Sequence, residues 1–230
     1  MLSPQQQKDN AATLASPVDV AVNNLHPAIT YGRGLTPFFF SIALWVFGIT
    51  GFLIMRPISR RALASRANTV LVAVAGWLPP VVTCVVGGLV RYVVVDAGLG
   101  LDPVHPWTMA GLLVLAAITF TSIAHVLRLL LGGVASAVLL ILLLLQLTTC
   151  AGTYPYETLP AVFRALHPIL PMTYLVEGTR VTITGGNGAH LARDVIVLAL
   201  FAVVSFGLTV LVTRLRRQWR VADIKPELAI

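Results

Sequence analysis

Charged residues are scarce in this sequence. Asp, Glu, Lys and Arg together make up only 11% of its 230 residues, whereas 57% are hydrophobic. A soluble domain carries about 25% charged residues, which keep its surface wetted. With less than half of that share, and with a mean hydropathy of +0.86, this chain cannot cover a globule with polar side chains. The composition excludes an ordinary soluble domain and predicts an integral membrane protein.

Residues that mark several enzyme classes are also missing. The only two lysines are Lys8 and Lys225, and neither follows the glycine-rich pattern of a nucleotide-binding P-loop. There is no G-x-S-x-G motif, and no two histidines lie three to five residues apart, which excludes a metal site on one helix. Cys84 and Cys150 lie in apolar runs and offer neither a disulfide framework nor a zinc cluster. We expect no catalytic residues, cofactor or metal, and therefore not an enzyme.

Five apolar stretches are long enough to cross a bilayer, which takes about 20 residues for a hydrocarbon core of roughly 30 Å. None has an acidic residue deep within it, which disfavours an ion-coupled transporter that uses a membrane carboxylate. We predict an all-α, polytopic integral membrane protein with a membrane domain over 35–217, between a stub, 1–34, and a tail, 218–230. The five predicted transmembrane helices are residues 35–55, 70–95, 107–127, 134–151 and 195–212.

Positive charge is distributed unevenly among the loops. If the N-terminus lies outside, ten basic and two acidic residues fall on the cytoplasmic side, against six basic and seven acidic residues outside. Because cytoplasmic loops carry the excess of Lys and Arg, we predict an extracytoplasmic N-terminus and a cytoplasmic C-terminus. The net charge of +7 then reflects membrane topology, and we expect no nucleic acid as a partner.

The first 34 residues are polar and lack the basic and apolar regions of a signal peptide. Two interpretations stay open. We favour a disordered tail. In the other, Met1 is an internal start and the alternation of Val18, Val20 and Val22 is the last strand of a larger outer domain.

Two features inside the predicted spans are unusual for a membrane helix. Pro79 and Pro80 each remove an amide donor from the second span, so we expect a kink that acts either as a fixed bend, which we favour, or as a hinge in a transport path. Gln146 is an intramembrane amide in the fourth span. We interpret it as a contact between helices rather than as a substrate ligand, because an amide in lipid bonds a neighbouring helix.

Between the fourth and fifth spans, two short amphipathic helices are predicted. Apolar residues recur with helical spacing over 159–166 and again over 172–183, and Glu177 and Arg180 lie together on the polar side of the second helix. We predict an extracytoplasmic helical hairpin that lies in the outer interface or dips back into it. It is either a lid over the bundle or an outer gate. The candidate gate residues are Glu157, His167, Glu177 and Arg180.

The loop after the first span is short and basic. As a plain anchor it holds the positive-inside orientation, and this is the interpretation we favour. As a functional element it docks an ATPase. The candidate docking residues are Arg56, Arg60, Arg61 and Arg66.

Four segments of the chain resemble the C-terminal membrane region of the YhgE/Pip family. The similarity runs roughly over 17–217, and its first segment reads LTPFFFSIALW. The chain departs from the family pattern in lacking the first helix and nearly all of the large outer region, so we expect a truncated gene or a fragment. The segment 122–125 also lacks the polar residues of the family. The similar segments are 35–45, 56–65, 152–160 and 166–174, followed by Glu177 and Arg180.

The resemblance implies a relative of the permeases of type-2 ABC exporters. On that basis we expect a permease-like component of an export system in a bacterial plasma membrane, without ATPase activity of its own, working as a homo- or heterodimer with a separate ABC ATPase. The alternative implied by the family is a membrane-anchored surface factor in phage infection or in type VII-associated secretion. A nonfunctional remnant is a third possibility.

Overall fold

The computed structural model describes residues 3, 5, 8, 28, 30–59, 62–63 and 67–217, and every regular element among them is helical. This confirms the predicted all-α, polytopic class. Three short 3-10 turns, Gly132–Val134, Tyr156–Thr158 and His167–Ile169, link some of the helices. The helices are α1 (Tyr31–Ile54), α2 (Thr69–Leu99), α3 (Pro106–Leu131), α4 (Ala135–Thr149), α5 (Ala161–Leu166), α6 (Pro171–Thr184) and α7 (Gly188–Arg216).

Local sequence signals set where these helices begin and end. The side chains of Asn68 and Asn187 accept hydrogen bonds from backbone N–H groups in the first turns of α2 and α7, at 3.0 and 2.9 Å. Proline, which lacks an N–H and has a fixed φ suited to a first helical position, starts α3 and α6. At the other ends, Gly100 follows α2 and Gly185 follows α6, both with positive φ that favours glycine.

The predicted number of five spans is corrected to four. The apolar helical segments of membrane length are Tyr31–Ile54, Thr69–Leu99, Pro106–Thr149 and Gly188–Arg216. The third predicted span, 107–127, and all but the last two residues of the fourth, 134–151, fall in the single segment Pro106–Thr149, which turns at Gly132–Val134. Its second part, α4, has 15 residues, or about 22 Å of helix, which is short of a hydrocarbon core of roughly 30 Å.

The bundle has two distinct ends. At the end we call the hairpin end, Arg33 of α1 donates to the Asp102 and Ile183 carbonyls at 2.8 and 3.0 Å. At the opposite end, which we call the basic-loop end, Arg217 donates to the Thr69 hydroxyl at 3.2 Å. The α3–α4 turn lies at the basic-loop end, where Arg128 donates to the Ser136 hydroxyl at 2.6 Å. Helix α4 returns from this end to the hairpin end, where the Thr149 carbonyl lies beside His167. The chain thus enters α1 at the hairpin end and, after α4 has added a shorter return to the four segments of membrane length, leaves α7 at the basic-loop end.

Helix α3 forms the centre of the core. One face carries small residues, Ala116, Ala117 and Ala124, all of them buried, which lets neighbouring helices approach closely. On the α1 side, the rings of Trp45 and Phe120 meet edge to face with centroids 5.2 Å apart. The outward faces of the bundle instead expose valine, leucine and isoleucine, as expected of a surface in contact with lipid acyl chains.

Helix α6 lies inside the bundle. The residues predicted on its apolar side are completely buried, among them Met172, Leu175 and Ile183, and they pack against α1, α3 and α7. The polar side carries Glu177 and Arg180, which are partly accessible. The second helix of the predicted hairpin therefore dips back into the bundle, while α5 stays largely exposed.

Both prolines of the second predicted span lie within α2, which continues without a break from Thr69 to Leu99. The Thr83 hydroxyl donates to the Pro79 carbonyl at 2.9 Å, as serine and threonine side chains often do near a membrane proline. The helix continues through the Pro79-Pro80 pair although the carbonyls four residues earlier, those of Ala75 and Gly76, lose their amide donors.

Candidate functional site: a cavity at the hairpin end

The cavity begins at a turn that follows α4. Ala151 adopts a positive φ of 51°, and Gly152 faces the Phe38 ring of α1 so closely that a Cβ atom there would overlap it. The Arg180 guanidinium donates to the carbonyls of both residues, with a distance of 3.2 Å to Gly152. Burial lowers the pKa of Arg180 from its ordinary value, but an arginine remains charged at neutral pH. Arg180 therefore ties α6 to this turn, 150–152.

Glu177 lies one turn before Arg180 on the same face of α6 and joins two other elements. One carboxylate oxygen lies 3.3 Å from His167 Nε2, and the other accepts from Arg193 of α7. The other ring nitrogen of His167, Nδ1, lies 2.5 Å from the Thr149 carbonyl oxygen. His167 thus lies between two acceptors, a backbone carbonyl of α4 and a carboxylate of α6.

These residues surround an open cavity of about 490 Å³. That volume is within the range of sites that hold small organic ligands, roughly 300–1,000 Å³. The cavity is lined by Ala151, Gly152, Thr153, Tyr154, Pro155, Tyr156, Glu157, Glu177 and Arg180.

The structure brings the four predicted gate residues together. Glu157, Glu177 and Arg180 line the cavity. His167 does not line the cavity but contacts two residues that do: its ring centroid lies 4.8 Å from that of Tyr156, and its Nε2 lies beside Glu177. Their role as a gate stays a prediction.

The sequence analysis missed two charged residues of this network, Arg193 and Asp194. Arg193 donates to Asp194 Oδ1 at 2.9 Å as well as to Glu177. Asp194 is fully buried, and its Oδ2 has no hydrogen-bond partner among the described residues. Because hydropathy placed the start of the last span at residue 195, both seemed to be loop residues. The capping pair Asn187-Gly188 would have indicated the earlier start of α7.

Tyr174 completes the cluster on the inner side of α6. Its hydroxyl donates to the Pro168 carbonyl at 2.6 Å, and the Arg193 guanidinium carbon lies 5.7 Å from its ring centroid. Burial raises the pKa of the Tyr174 hydroxyl, which keeps it protonated as a donor. The start of α6 is thus held to the 3-10 turn before it.

Gln146 lies outside the cavity and contacts the beginning of α6. The fully buried side chain accepts from the Met172 backbone N–H at 3.1 Å through Oε1. That N–H is one of the four at a helix N-terminus that have no partner within the helix. Gln146 therefore connects α4 to α6.

The basic loop is described only in part. Arg56 is exposed, and the other candidate docking residues, Arg60, Arg61 and Arg66, lie outside the described residues. The Pro57 carbonyl lies against Gly76 of α2, where a Cβ atom would overlap it. This contact is three residues before Pro79. Within the described part of the chain, no group of three or more His, Cys, Asp or Glu side chains could hold a metal ion.

Comparison with known proteins gives two findings. The model of the ABC-2 type transporter family matches residues 16–184. The uncharacterized protein YhgE of Bacillus subtilis (strain 168) is 27% identical over 213 residues, which cover 92% of this chain and 27% of the relative. The chain thus spans about a quarter of the length of that curated relative. No solved structure matches this chain.

Proposed function

The chain belongs to the ABC-2 type transporter family, and on that premise we propose that it is the permease-like component of an ABC-type export system in a bacterial plasma membrane. ATP would be hydrolysed by a separate protein, since this sequence has no lysine in a P-loop pattern.

The extent of the family match carries the proposal. It runs over residues 16–184 and so includes α1 to α6, the turn 150–152 and the gate residues Glu157, His167, Glu177 and Arg180. The four membrane-length helical segments agree with a membrane component of a transporter.

The cavity at the hairpin end is proposed as the outer gate. Arg180 ties α6 to the turn 150–152, and Glu177 ties it to α7 through Arg193. A substrate that leaves through this cavity requires α6 to move away from the turn, which breaks the Arg180 bonds. Charged hydrogen bonds to backbone carbonyls are worth roughly 1.5–3 kcal/mol each, a size that an ATP-driven change can reverse.

The basic loop is proposed as the place where the ATPase docks. By the positive-inside rule its end of the bundle is cytoplasmic, because Arg56 lies there together with Arg214 and Arg216 at the end of α7. The close contact between Pro57 and Gly76 would pass a movement of the loop to α2, next to Pro79 and Pro80. In this proposal the two prolines are a hinge, because each removes a backbone hydrogen bond from the helix.

The experiment is purification of the tagged protein from its native membranes in mild detergent, followed by mass spectrometry of the proteins that accompany it. We expect a P-loop ATPase in stoichiometric yield. The double charge reversal R60E/R61E should lose the ATPase while keeping its membrane insertion. The matched control is R164E on the exposed α5 at the hairpin end, which should retain it.

Two outcomes contradict the proposal. If no ATPase accompanies the protein but secretion or cell-wall components do, the surface-factor alternative replaces the permease. If the ATPase stays bound to R60E/R61E, the export role survives and the docking site is wrong. Light scattering of the same preparation would test the expected homo- or heterodimer.

A further inference from the structure

A second, smaller cavity opens on the side of the bundle between α1 and α2. Its volume is about 170 Å³, and its walls are Phe40, Leu44 and Phe47 from α1 with Gly87 and Gly88 from α2. A Cβ atom on Gly88 would come within 3.0 Å of Leu44, whereas one on Gly87 would meet nothing within 4 Å. The helices therefore touch at Gly88, and Gly87 leaves the groove open.

Arg91 closes one end of this groove, and its charge has no ion-pair partner among the described residues. Its guanidinium carbon lies 4.5 Å from the Phe40 ring centroid. Its NH1 atom is buried without a hydrogen-bond partner, and no carboxylate lies within 4.0 Å of it in the described part of the chain. A guanidinium in apolar surroundings needs an anion or other acceptor to offset its lost hydration.

Arg91 lies in the part of α2 that is nearer the hairpin end. Eight residues separate it from Leu99, the last residue of α2, which is about 12 Å along the helix axis. Toward the basic-loop end, the Pro57 carbonyl lies against Gly76, 15 residues or about 22 Å before Arg91, whereas the hydrocarbon core is roughly 30 Å thick. Arg91 therefore lies in the leaflet at the hairpin end, below its headgroups, where the long arginine side chain can extend to a phosphate. Gly87 and Gly88 lie about one turn deeper, at the depth of acyl chains.

We propose that this groove binds one anionic glycerophospholipid, with the phosphate on Arg91 and part of one acyl chain against Phe40, Phe47 and Gly87. The groove is smaller than the roughly 300–1,000 Å³ of sites that enclose a whole ligand. It fits a segment of a molecule whose remainder stays in the bilayer. The unpaired cation selects a headgroup with net negative charge over a zwitterionic one, whose own cation competes with Arg91. This site is independent of the transport role.

The test is native mass spectrometry of the detergent-purified protein with added phosphatidylglycerol or phosphatidylcholine of the same acyl chains. We expect phosphatidylglycerol to bind roughly tenfold more tightly, the size of one charge-assisted contact. R91Q should lose that preference, and R91K should keep most of it, because an ammonium also binds phosphate as a point charge. G87L should weaken both lipids by filling the groove. G98L is its matched control, since a Cβ there also meets nothing within 4 Å.

Four results would overturn the proposal. Unchanged lipid preference in R91Q would exclude Arg91 as the headgroup contact. Unchanged binding in G87L, with loss in R91Q, would mean that no acyl chain enters the groove. Displacement of the lipid by inorganic phosphate alone would identify a simple anion site. A shift from dimer to monomer in G87L would show that a second copy of the chain covers the groove. R91Q should elute as wild type in size-exclusion chromatography, and G87L as a single folded species, as their controls R91K and G98L do, so that loss of binding is not taken for loss of folding.

Discussion

At the scale of single residues, the turn 150–152 depends on a glycine that touches an aromatic ring. A Cβ atom on Gly152 would overlap the Phe38 ring, so we expect Gly152→Ala to displace the ring or the turn. Overpacking of this kind costs typically 1–3 kcal/mol. The measurement is the thermal unfolding midpoint of the purified protein in detergent, which should fall.

Gly111→Ala is the control for that substitution, because a Cβ at this position on α3 meets nothing within 4 Å. An alanine in a helix is favoured over glycine by roughly 0.5–1 kcal/mol, so its midpoint should stay or rise. Equal midpoints for Gly152→Ala and wild type would mean that the Phe38 ring can move away from the new methyl group without a loss of stability.

Gln146 provides a second test at this scale. Gln146→Leu keeps the buried volume similar but removes the acceptor for the Met172 N–H. A buried donor left without a partner costs about 1–3 kcal/mol, so the unfolding midpoint should fall. Thr148→Val serves as the comparison, because that hydroxyl is exposed and bonds only the Leu144 carbonyl of its own helix. If the two variants melt together, Gln146 does not hold α6 in place.

The sequence could predict part of the hairpin-end site for a physical reason. Glu177 and Arg180 are three residues apart on one helix, so their common face follows from helical spacing alone. Their partners could not be predicted in this way. Arg180 bonds two backbone carbonyls of the turn 150–152, and a carbonyl has no side chain that a sequence pattern could reveal. Asp194 was missed because hydropathy alone set the start of the last span.

At the scale of helices, too, features that follow from helical spacing could be predicted, whereas features that depend on the path of the chain could not. The period of apolar residues over 172–183 predicted the buried face of α6, since that period is kept whether a helix lies on a surface or within a bundle. The number of spans differs because the run that was predicted as two full spans, 107–127 and 134–151, is one segment, Pro106–Thr149, whose second part, α4, has only 15 residues. The positive φ of Gly132 and the short α4 divide one long apolar segment into a full helix and a shorter return.

The reactivity of the Cys150 thiol can report on the proposed movement of α6. This cysteine is fully buried and is the first residue of the turn 150–152 that Arg180 holds, and burial raises the pKa of its thiol. The thiolate is the reactive form, so wild-type Cys150 should react slowly with maleimide. Arg180→Ala in a C84A background removes a charge that lowers the pKa of this thiol, but burial is the larger cause of its shift. Local opening relieves that burial and exposes the thiol, so the rate should rise by roughly tenfold.

Arg164→Ala in the same background is the matched control, since Arg164 is exposed on α5. It should label at the wild-type rate. Slow labelling of Arg180→Ala would show that the turn 150–152 stays closed without the Arg180 bonds. Other contacts would then have to hold the proposed gate closed.

At the scale of the whole molecule, the orientation in the membrane is the remaining prediction. The two ends of the bundle differ in charge: Arg56, Arg214 and Arg216 lie at the basic-loop end, and cytoplasmic loops carry such an excess. The hairpin end should therefore face outward. Thr153→Cys and Ser59→Cys, both at exposed positions, report on the two ends when placed in a C84A/C150A background.

Intact cells treated with a membrane-impermeant maleimide should label Thr153→Cys, whereas Ser59→Cys should label only after the cells are permeabilised. This result would place the 490 Å³ cavity on the outer surface and the basic loop within reach of a cytoplasmic ATPase, as an exporter requires. If only Ser59→Cys were labelled in intact cells, the orientation of the protein in the membrane would be the reverse of the predicted one. The cavity would then open toward the cytoplasm, where it could admit a substrate but not release one, and the outer-gate role of Glu157, His167, Glu177 and Arg180 would be excluded even though the family membership would stand.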